Sequence, residues 1–308
     1  MNGFSVCVLM ATFNGQAYLL EQLESIIGQT VENIKILVSD DGSQDLTKSI
    51  LVEHQARYPG TIEIVDGPRS GLERNFYSLI DRAKGFDLYA FADQDDIWEP
   101  ARIEKAIERY QKVDGEIPFA YCSATLLVDE NAVCIGLEKR PPVESIQLRH
   151  ALGYCISTGN TIVFNEAARR IFPPSLNRIE PLGHDWLTFI YVLMFDGSVV
   201  YDPFPGVRYR IHSANQSGVR AGALGRLTLL RDWILRGKLK RTNRQIIDST
   251  DLVLSNASTE IIRLLDEFKA VHRASIFVRI CSFYRVNITR KDPSTNWINW
   301  MAVILGKF

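Results

Sequence analysis

The sequence predicts an α/β protein, and three observations carry that prediction. Short apolar runs of strand length alternate with segments of helical periodicity through the first two-thirds of the chain. The runs are apolar at consecutive positions rather than at every second one, the pattern of strands buried on both faces of a sheet. Polar residues gather where the runs end, and in open α/β sheets that edge is where ligands bind.

Taken in order, "SVCVLMAT" reads as a first strand, and Leu19, Leu23, Ile26 and Ile27 then recur at helical spacing. "IKILVSD" is a second strand, followed after "DGSQD" by a helix carrying Leu46, Ile50 and Leu51. "TIEIVD" is a third strand, residues Arg74 to Ala83 a helix, and "LYAFAD" a fourth strand. A helix with Ile103, Ala106, Ile107 and Tyr110 precedes the strand "FAYCSATLLVD". From Glu138 to Gly159 the sequence is irregular. Beyond it "TIVF" reads as a strand, "NEAARRIF" as a short helix, "DWLTFIYVLMF" as a buried helix, and "SVVYD" and "VRYRIH" as two further strands. After Gly218 strand patterns stop and long helical patterns take over. This change divides the chain into an α/β domain, residues 1–218, and a helical C-terminal region, residues 219–308.

The composition, 46% hydrophobic and 23% charged with a net charge of -1, is that of a soluble globular protein. The five cysteines are scattered and form no CxxC pair, which argues against a disulfide framework or a thiolate zinc site and predicts a reducing cytoplasm. "MNGFSVCVLM" has no basic n-region, and no stretch approaches the roughly 20 apolar residues of a membrane helix, so neither a signal peptide nor a membrane span is expected.

The acidic cluster in "FADQDDIWEP" is the sharpest local signal. Carboxylates this close repel one another unless a cation or a strong donor sits among them. Asp93 and Asp95, two apart in a turn, could share one hard divalent cation, Mg²⁺ or Mn²⁺, with substrate phosphates completing its shell. The competing reading is an acidic turn capping the helix that follows Pro100. Asp40 and Asp41 before Gly42 suit a turn or nucleotide recognition, and Asn14-Gly15 is open in the same way. Asp185 in "GHDWLTF" is either an N-cap or a general base. His212 either anchors a loop or ligates.

Together "VLMATFNGQAYLLEQLESIIGQT", "ILVSDDGSQDLT", "RNFYSLI", "FADQDDIW", "HDW" and "YRIHSANQSG", in this order and spacing, resemble family 2 of the inverting nucleotide-sugar glycosyltransferases. The nearest likeness is to bacterial rhamnosyltransferase-type members that build O-antigen and capsule polysaccharides, and it covers residues 5 to 218. The resemblance implies the GT-A fold, a mixed, mostly parallel sheet flanked by helices, here with a helical C-terminal region. It also implies roles. Asp40 would contact the base, Thr12 and Asn14 would line the nucleotide site with Arg74 and Asn75 nearby, and Asp93 would meet the ribose. Asp95 and His212 would hold the metal, and Asp185 would deprotonate the acceptor hydroxyl. His184 stands where many members have Glu, and His184, Trp186, Asp96 and Trp98 are expected on the acceptor side or in support. The donor implied is dTDP-L-rhamnose, with a UDP-hexose or UDP-N-acetylhexosamine as the alternative, and the acceptor a glycan, lipid-linked. The absence of QxxRW sets the chain apart from processive synthases.

Between Arg220 and Arg244 eight basic residues face one acid, Asp232, with Leu227, Leu230 and Ile234 at helical spacing among them, and Trp297 and Trp300 follow near the end. Such a segment fits an anionic membrane surface, giving a peripheral protein on the inner face of the cytoplasmic membrane. It equally fits packing on the catalytic domain or in a homodimer. Nucleic-acid binding is disfavoured because the basic patch is local and lacks interleaved aromatics. A sugar-1-phosphate nucleotidyltransferase would need a basic loop after the first strand, which "ATFNGQAYLLEQ" lacks. The remaining rival is a non-catalytic protein that binds nucleotide-sugars.

Overall fold

The computed structural model describes residues 3–138, 146–212, 236–289 and 296–308. The expected boundary near Gly218 lies outside these residues, as do Arg220, Arg226, Arg231, Leu227, Leu230 and Ile234.

Among the described residues nine strands form one sheet: β1 Val6–Thr12, β2 Ile34–Asp40, β3 Ile62–Asp66, β4 Leu88–Ala92, β5 Ile97–Trp98, β6 Phe119–Val128, β7 Cys134–Glu138, β8 Val163–Asn165 and β9 Ser198–Arg210. The order is β3-β2-β1-β4-β8-β6-β9-β5, with β7 paired to β6. Strands β1 to β4 are mutually parallel, β8 runs against β4 and β6, and β9 runs parallel to β6, so the sheet is mixed and mostly parallel. Register aligns the carboxyl ends: Thr12 faces Asp40, and Asp40 faces Asp66. Three polar residues are thus set in one row before any loop begins.

The consecutive apolar residues of β1 explain both layers. Val6, Val8 and Met10 enter one core with Leu19, Leu23 and Ile26 of α1 (Leu19–Ile27) and Ile103 and Ile107 of α4 (Arg102–Tyr110). Cys7, Leu9 and Ala11 point the other way, against Phe76 and Leu79 of α3 (Leu72–Arg82) and into the core that holds α7 (His184–Met194). Helix α2 (Thr47–Arg57) covers the β2–β3 flank through Leu51.

The segment read as irregular contains α5 (Leu148–Gly153), and "NEAARRIF" contributes only one short turn, α6 (Glu166–Arg169). "SVVYD" and "VRYRIH" are one strand, β9, rather than two. Pro203 and Pro205 lack the donors for a regular ladder, and the strand absorbs them where its register against β6 skips between Ser123 and Thr125.

The C-terminal helices are α8 (Lys238–Asp251), α9 (Thr259–Arg273), α10 (Ile276–Val286) and α11 (Asn296–Leu305). Leu239, Ile246, Phe268, Phe283 and Ala302 belong to the same core as α7, and Tyr191 of α7 donates to the Ser249 carbonyl at 2.9 Å. Among the described residues no helix is long and apolar enough to cross a membrane.

Candidate active site

A cleft of about 1070 Å³ opens at the carboxyl ends of β1, β2 and β4 and is closed on its far side by the start of α7. Thr12, Asn14, Asn75, Asp93, Asp95, His184, Asp185 and His212 all line it, residues spread over two hundred positions of sequence.

The loop after β1 is built by side chains gripping backbone. Asn14 adopts a left-handed conformation, φ 49°, which Asn tolerates better than most residues. Its amide oxygen accepts from Gln44 N at 2.9 Å, and its own N–H donates to Ser43 Oγ at 2.9 Å. Asp40 is only 2% exposed and does not line the cleft. Its oxygens accept from Thr12 Oγ1 (3.2 Å), Ser43 N (2.9 Å) and Ser43 Oγ (2.5 Å), so it organises the turn from beneath. The adjacent Asp41 does line the cleft, where its carboxylate accepts the N–H groups of Arg69 (2.6 Å) and Gly71 (3.0 Å). Among the described residues Arg69 is the one Lys or Arg that lines the cleft. Arg74, expected near the nucleotide, turns away and donates to the carbonyls of Asn177 and Ile179, since the α3 face that carries it meets the 174–179 turn. Asn75 faces the cleft, anchored by its Nδ2 on the Ser39 carbonyl at 3.0 Å, and its Oδ1 is buried without a partner.

The turn after β4 answers the question of what balances its acids. Gln94, between Asp93 and Asp95, makes a two-way bond to the Phe13 backbone, accepting from N at 2.8 Å and donating to O at 3.1 Å. A Cβ on Gly15 would fall 2.3 Å from Gln94 Oε1, so any larger residue there would push the Gln94 amide off its bonds to Phe13. Asp96 is fully buried, accepting from Asn160 Nδ2 at 2.5 Å and Arg210 N at 3.2 Å. Trp98 lies beneath the cleft with the Arg102 guanidinium 3.5 Å over its ring. Arg102 also donates to the Asn160 carbonyl at 2.6 Å, tying Asn160 to the acidic turn. Buried Arg210 donates from Nε to the Asp95 carbonyl (3.0 Å) and from Nη1 to the Glu130 carbonyl (2.7 Å), pairs with Glu21, and lies over the Tyr18 ring at 4.6 Å. Burial, together with the neighbouring carboxylates, holds Asp93 well above the ordinary carboxylate range. Burial and the Asp95 charge push Asp96 up to about 7, and burial draws Arg102 down to about 9.

Across the cleft, Asp185 lies in the first turn of α7, where its Oδ1 accepts from Trp186 N at 2.7 Å. It is close enough for its charge to add to the pressure on Asp93. His184 is 6% exposed, stacked on Phe76 at 3.7 Å and edge-on to Phe91 at 4.6 Å. Its Nε2 has no partner, and burial draws its pKa down to about 4. Trp186 turns out of the cleft, its indole N–H on the Ala151 carbonyl at 2.5 Å.

His212 Nε2 lies 2.8 Å from Asp95 Oδ2, and Tyr18 packs on the imidazole at 5.0 Å. Among the described residues no group of three His, Cys, Asp or Glu is close enough to hold a metal. The pair Asp95–His212 nevertheless offers an oxygen and a nitrogen at one point beside the crowded Asp93, and Mg²⁺ or Mn²⁺ needs few protein ligands where phosphates and water supply the others. The residues present fit such an ion.

Tyr18, Arg69, Asn160 and the two buried arginines were not singled out by the sequence, and Asp41 was named only as half of the Asp40-Asp41 pair, with the role in contacting the base given to Asp40. Arg210 stands inside "YRIH", yet nothing in that pattern distinguishes a buried clamp from an exposed cation.

Residues 7–128 match the family model for glycosyl transferase family 2. The dTDP-rhamnosyl transferase RfbG of Shigella flexneri is 29% identical over 264 residues, covering 78% of this chain and 86% of that protein. An uncharacterized glycosyltransferase of Nostoc sp. is 25% identical over 228 residues, 71% of this chain and 68% of its own. Among solved structures, S. aureus TarS 1-349 in complex with UDP-GlcNAc matches with a TM-score of 0.58 at 16% identity, over 98% of this chain and 81% of that one. The mannosyltransferase PcManGT from Pyrobaculum calidifontis, in complex with GDP-Man and Mn²⁺, matches with a TM-score of 0.52 at 13% identity, over 99% and 86%. Sequence family and architecture thus agree with the chemistry collected in the cleft: the chain is a glycosyltransferase that carries a family 2 domain on the GT-A fold.

Proposed function

We propose that the protein transfers L-rhamnose from dTDP-L-rhamnose, with inversion, to a hydroxyl of a lipid-linked glycan in bacterial O-antigen or capsule synthesis. The observation that carries the reading is the single cleft that sets Asp93, Asp95 and His212 on one wall and Asp185 on the other. The choice of donor is supported by the 29% identity to a protein named as a dTDP-rhamnosyl transferase.

In this reading the base and ribose occupy the β1–β2 side, beside Thr12, Asn14, Asp41 and Asn75, with Arg69 available to the diphosphate. Asp40 acts indirectly by fixing the turn that carries Asp41. Asp185 accepts the proton of the acceptor hydroxyl as its oxygen bonds to C1, and the C1–O bond to the diphosphate breaks on the opposite face, its electron pair leaving with the phosphate oxygen. His184 is neutral in the physiological range, and Asp185 is the member of the pair assigned as the base. Asp95 and His212 would hold Mg²⁺ or Mn²⁺, which when bound neutralises charge on the departing diphosphate. Residues 1–218 serve as the catalytic unit and residues 219–308 as a C-terminal region, whose described helices α8 to α11 share the core of α7.

The test is turnover with Mn²⁺ across dTDP-L-rhamnose, UDP-glucose and UDP-N-acetylglucosamine, with and without a lipid-linked glycan. Preference for dTDP-L-rhamnose is the expected result. A clear preference for a UDP-sugar replaces the donor, and binding without turnover of any donor would make the protein a non-catalytic nucleotide-sugar binder.

A further inference from the structure

The last two helices present an apolar surface that the site does not use. Helix α10 buries Phe283 and Val286, and α11 buries Ile298, Ala302 and Val303. Each also carries a second apolar stripe turned to solvent: Phe277, Ile280 and Tyr284 at i, i+3 and i+7 on α10, and Trp297, Trp300 and Ile304 at the same spacing on α11. Phe277 is 73% exposed and Tyr284 75%. The helices are joined by the Phe283 and Trp300 rings, 4.7 Å apart, so the stripes lie on neighbouring elements. Isolated exposed apolar residues need no explanation, but a run of aromatic and aliphatic side chains on two packed helices does.

We propose that α10 and α11 form a platform that seats the enzyme on an anionic lipid surface. Charge selects this occupant. In sequence, residues 274 to 308 hold five basic residues, Arg279, Arg285, Arg290, Lys291 and Lys307, and one acid, Asp292, a net of +4; Arg285 pairs with Glu267 of α9 at 2.7 Å, and neither α10 nor α11 contains a carboxylate. Exposed aromatic and aliphatic side chains on a segment of net positive charge are what an anionic headgroup layer takes up. A second copy fits less well, because a two-fold interface sets the same patch against itself and would oppose two cationic surfaces. The platform also lies on the acceptor flank. Thr289, just past α10, packs so tightly on α5 that a Cβ on Gly153 would fall 2.3 Å from its carbonyl oxygen, and Ala151 of α5 receives the Trp186 indole beside Asp185. The inference goes beyond the proposed reaction, since vesicle binding is measured without any substrate.

Full-length protein is to be co-sedimented with phosphatidylcholine vesicles and with vesicles containing about a third phosphatidylglycerol. Strong partitioning to the anionic vesicles alone is expected, and the Phe277→Ser/Tyr284→Ser variant should lose roughly tenfold or more while its circular-dichroism melt is unchanged. As a conservative second arm, brominated lipids should quench tryptophan emission in the wild type and less in Trp297→Phe. Absence of wild-type binding, equal binding by wild type and double variant, or a concentration-dependent dimer abolished by the double variant would each overturn the platform, the last assigning the face to a second copy.

Discussion

His184→Phe isolates the energetic consequence of burying an imidazole between two phenyl rings. His184 is 6% exposed, its Nε2 has no partner, and burial draws its pKa down to about 4. In the unfolded chain the same group takes its proton near 6.5. Below that pH the unfolded state binds a proton that the folded state refuses, so stability present above about 6.5 is lost as pH falls toward 4. A shift of this size amounts to about 3 kcal/mol when complete and about 2 kcal/mol at pH 5. Phenylalanine fills the slot between Phe76 and Phe91 without forfeiting a hydrogen bond at Nε2, and it cannot titrate. The larger ring carries a fixed packing cost against Gly159, but relative to the wild type the variant should gain about 2 kcal/mol of stability between neutral pH and pH 5. Urea unfolding of both proteins across that range measures the gap, and acid effects shared by the two cancel in the difference. A gap that stays constant with pH would mean that His184 titrates normally in the folded protein, and its neutrality beside Asp185 would lose its basis.

Other expectations follow from the same geometry. Asp185→Asn should reduce transfer by roughly 10² to 10⁴ while leaving donor affinity nearly unchanged, measured by turnover and by calorimetric binding. Asp95→Asn should weaken donor binding with Mn²⁺ and leave binding in excess EDTA unaltered; equal affinity in all four conditions removes Asp95 from the ion. Gly159→Ala places a Cβ 2.5 Å from His184 Nε2, and the wedged ring has nowhere to go, so a loss of about 1–3 kcal/mol is expected in thermal denaturation. Arg210→Met should cost about 1–3 kcal/mol and raise the donor KM, because the Asp95 carbonyl loses its donor while half-exposed Glu21 relaxes into water.

Strands β1, β2 and β4 were legible because burial on both faces writes itself as consecutive apolar residues, and their ends marked the cleft. Which member of Asp40-Asp41 would face it was not legible. Adjacent residues at a strand end point oppositely, and only the closure of the Ser43 and Gly71 turns shows that Asp40 lies beneath and Asp41 above. Arg74 misled for a related reason: neighbouring helix positions point about 100° apart, so Asn75 reaches the cleft while Arg74 meets the 174–179 turn. The "DPFPG" segment reads as a strand break, yet the long parallel pairing with β6 carries β9 through it. The stripe on α10 was hidden because an apolar residue at helical spacing reads the same whether it faces a core or solvent.

The acidic turn shows how the fold divides its charge. The two arginines beneath it do not saturate all the acids: Arg102 stacks on Trp98 and bonds backbone carbonyls, and Arg210 spends its donors on the Asp95 and Glu130 carbonyls and on Glu21. Asp96, the innermost carboxylate, receives Asn160 and the Arg210 N–H. The protein thereby fixes the main chain of the turn and satisfies its buried member, while Asp93 and Asp95 line the cleft and, among the described residues, the His212 imidazole is the side chain set against the Asp95 carboxylate. An arrangement built for stability alone would have placed a guanidinium on those side chains. Leaving them facing open space, with Asp93 crowded above its ordinary range, stores an electrostatic deficit that an arriving cation can fill, and that is the physical reason to expect donor binding and divalent ions to be coupled here.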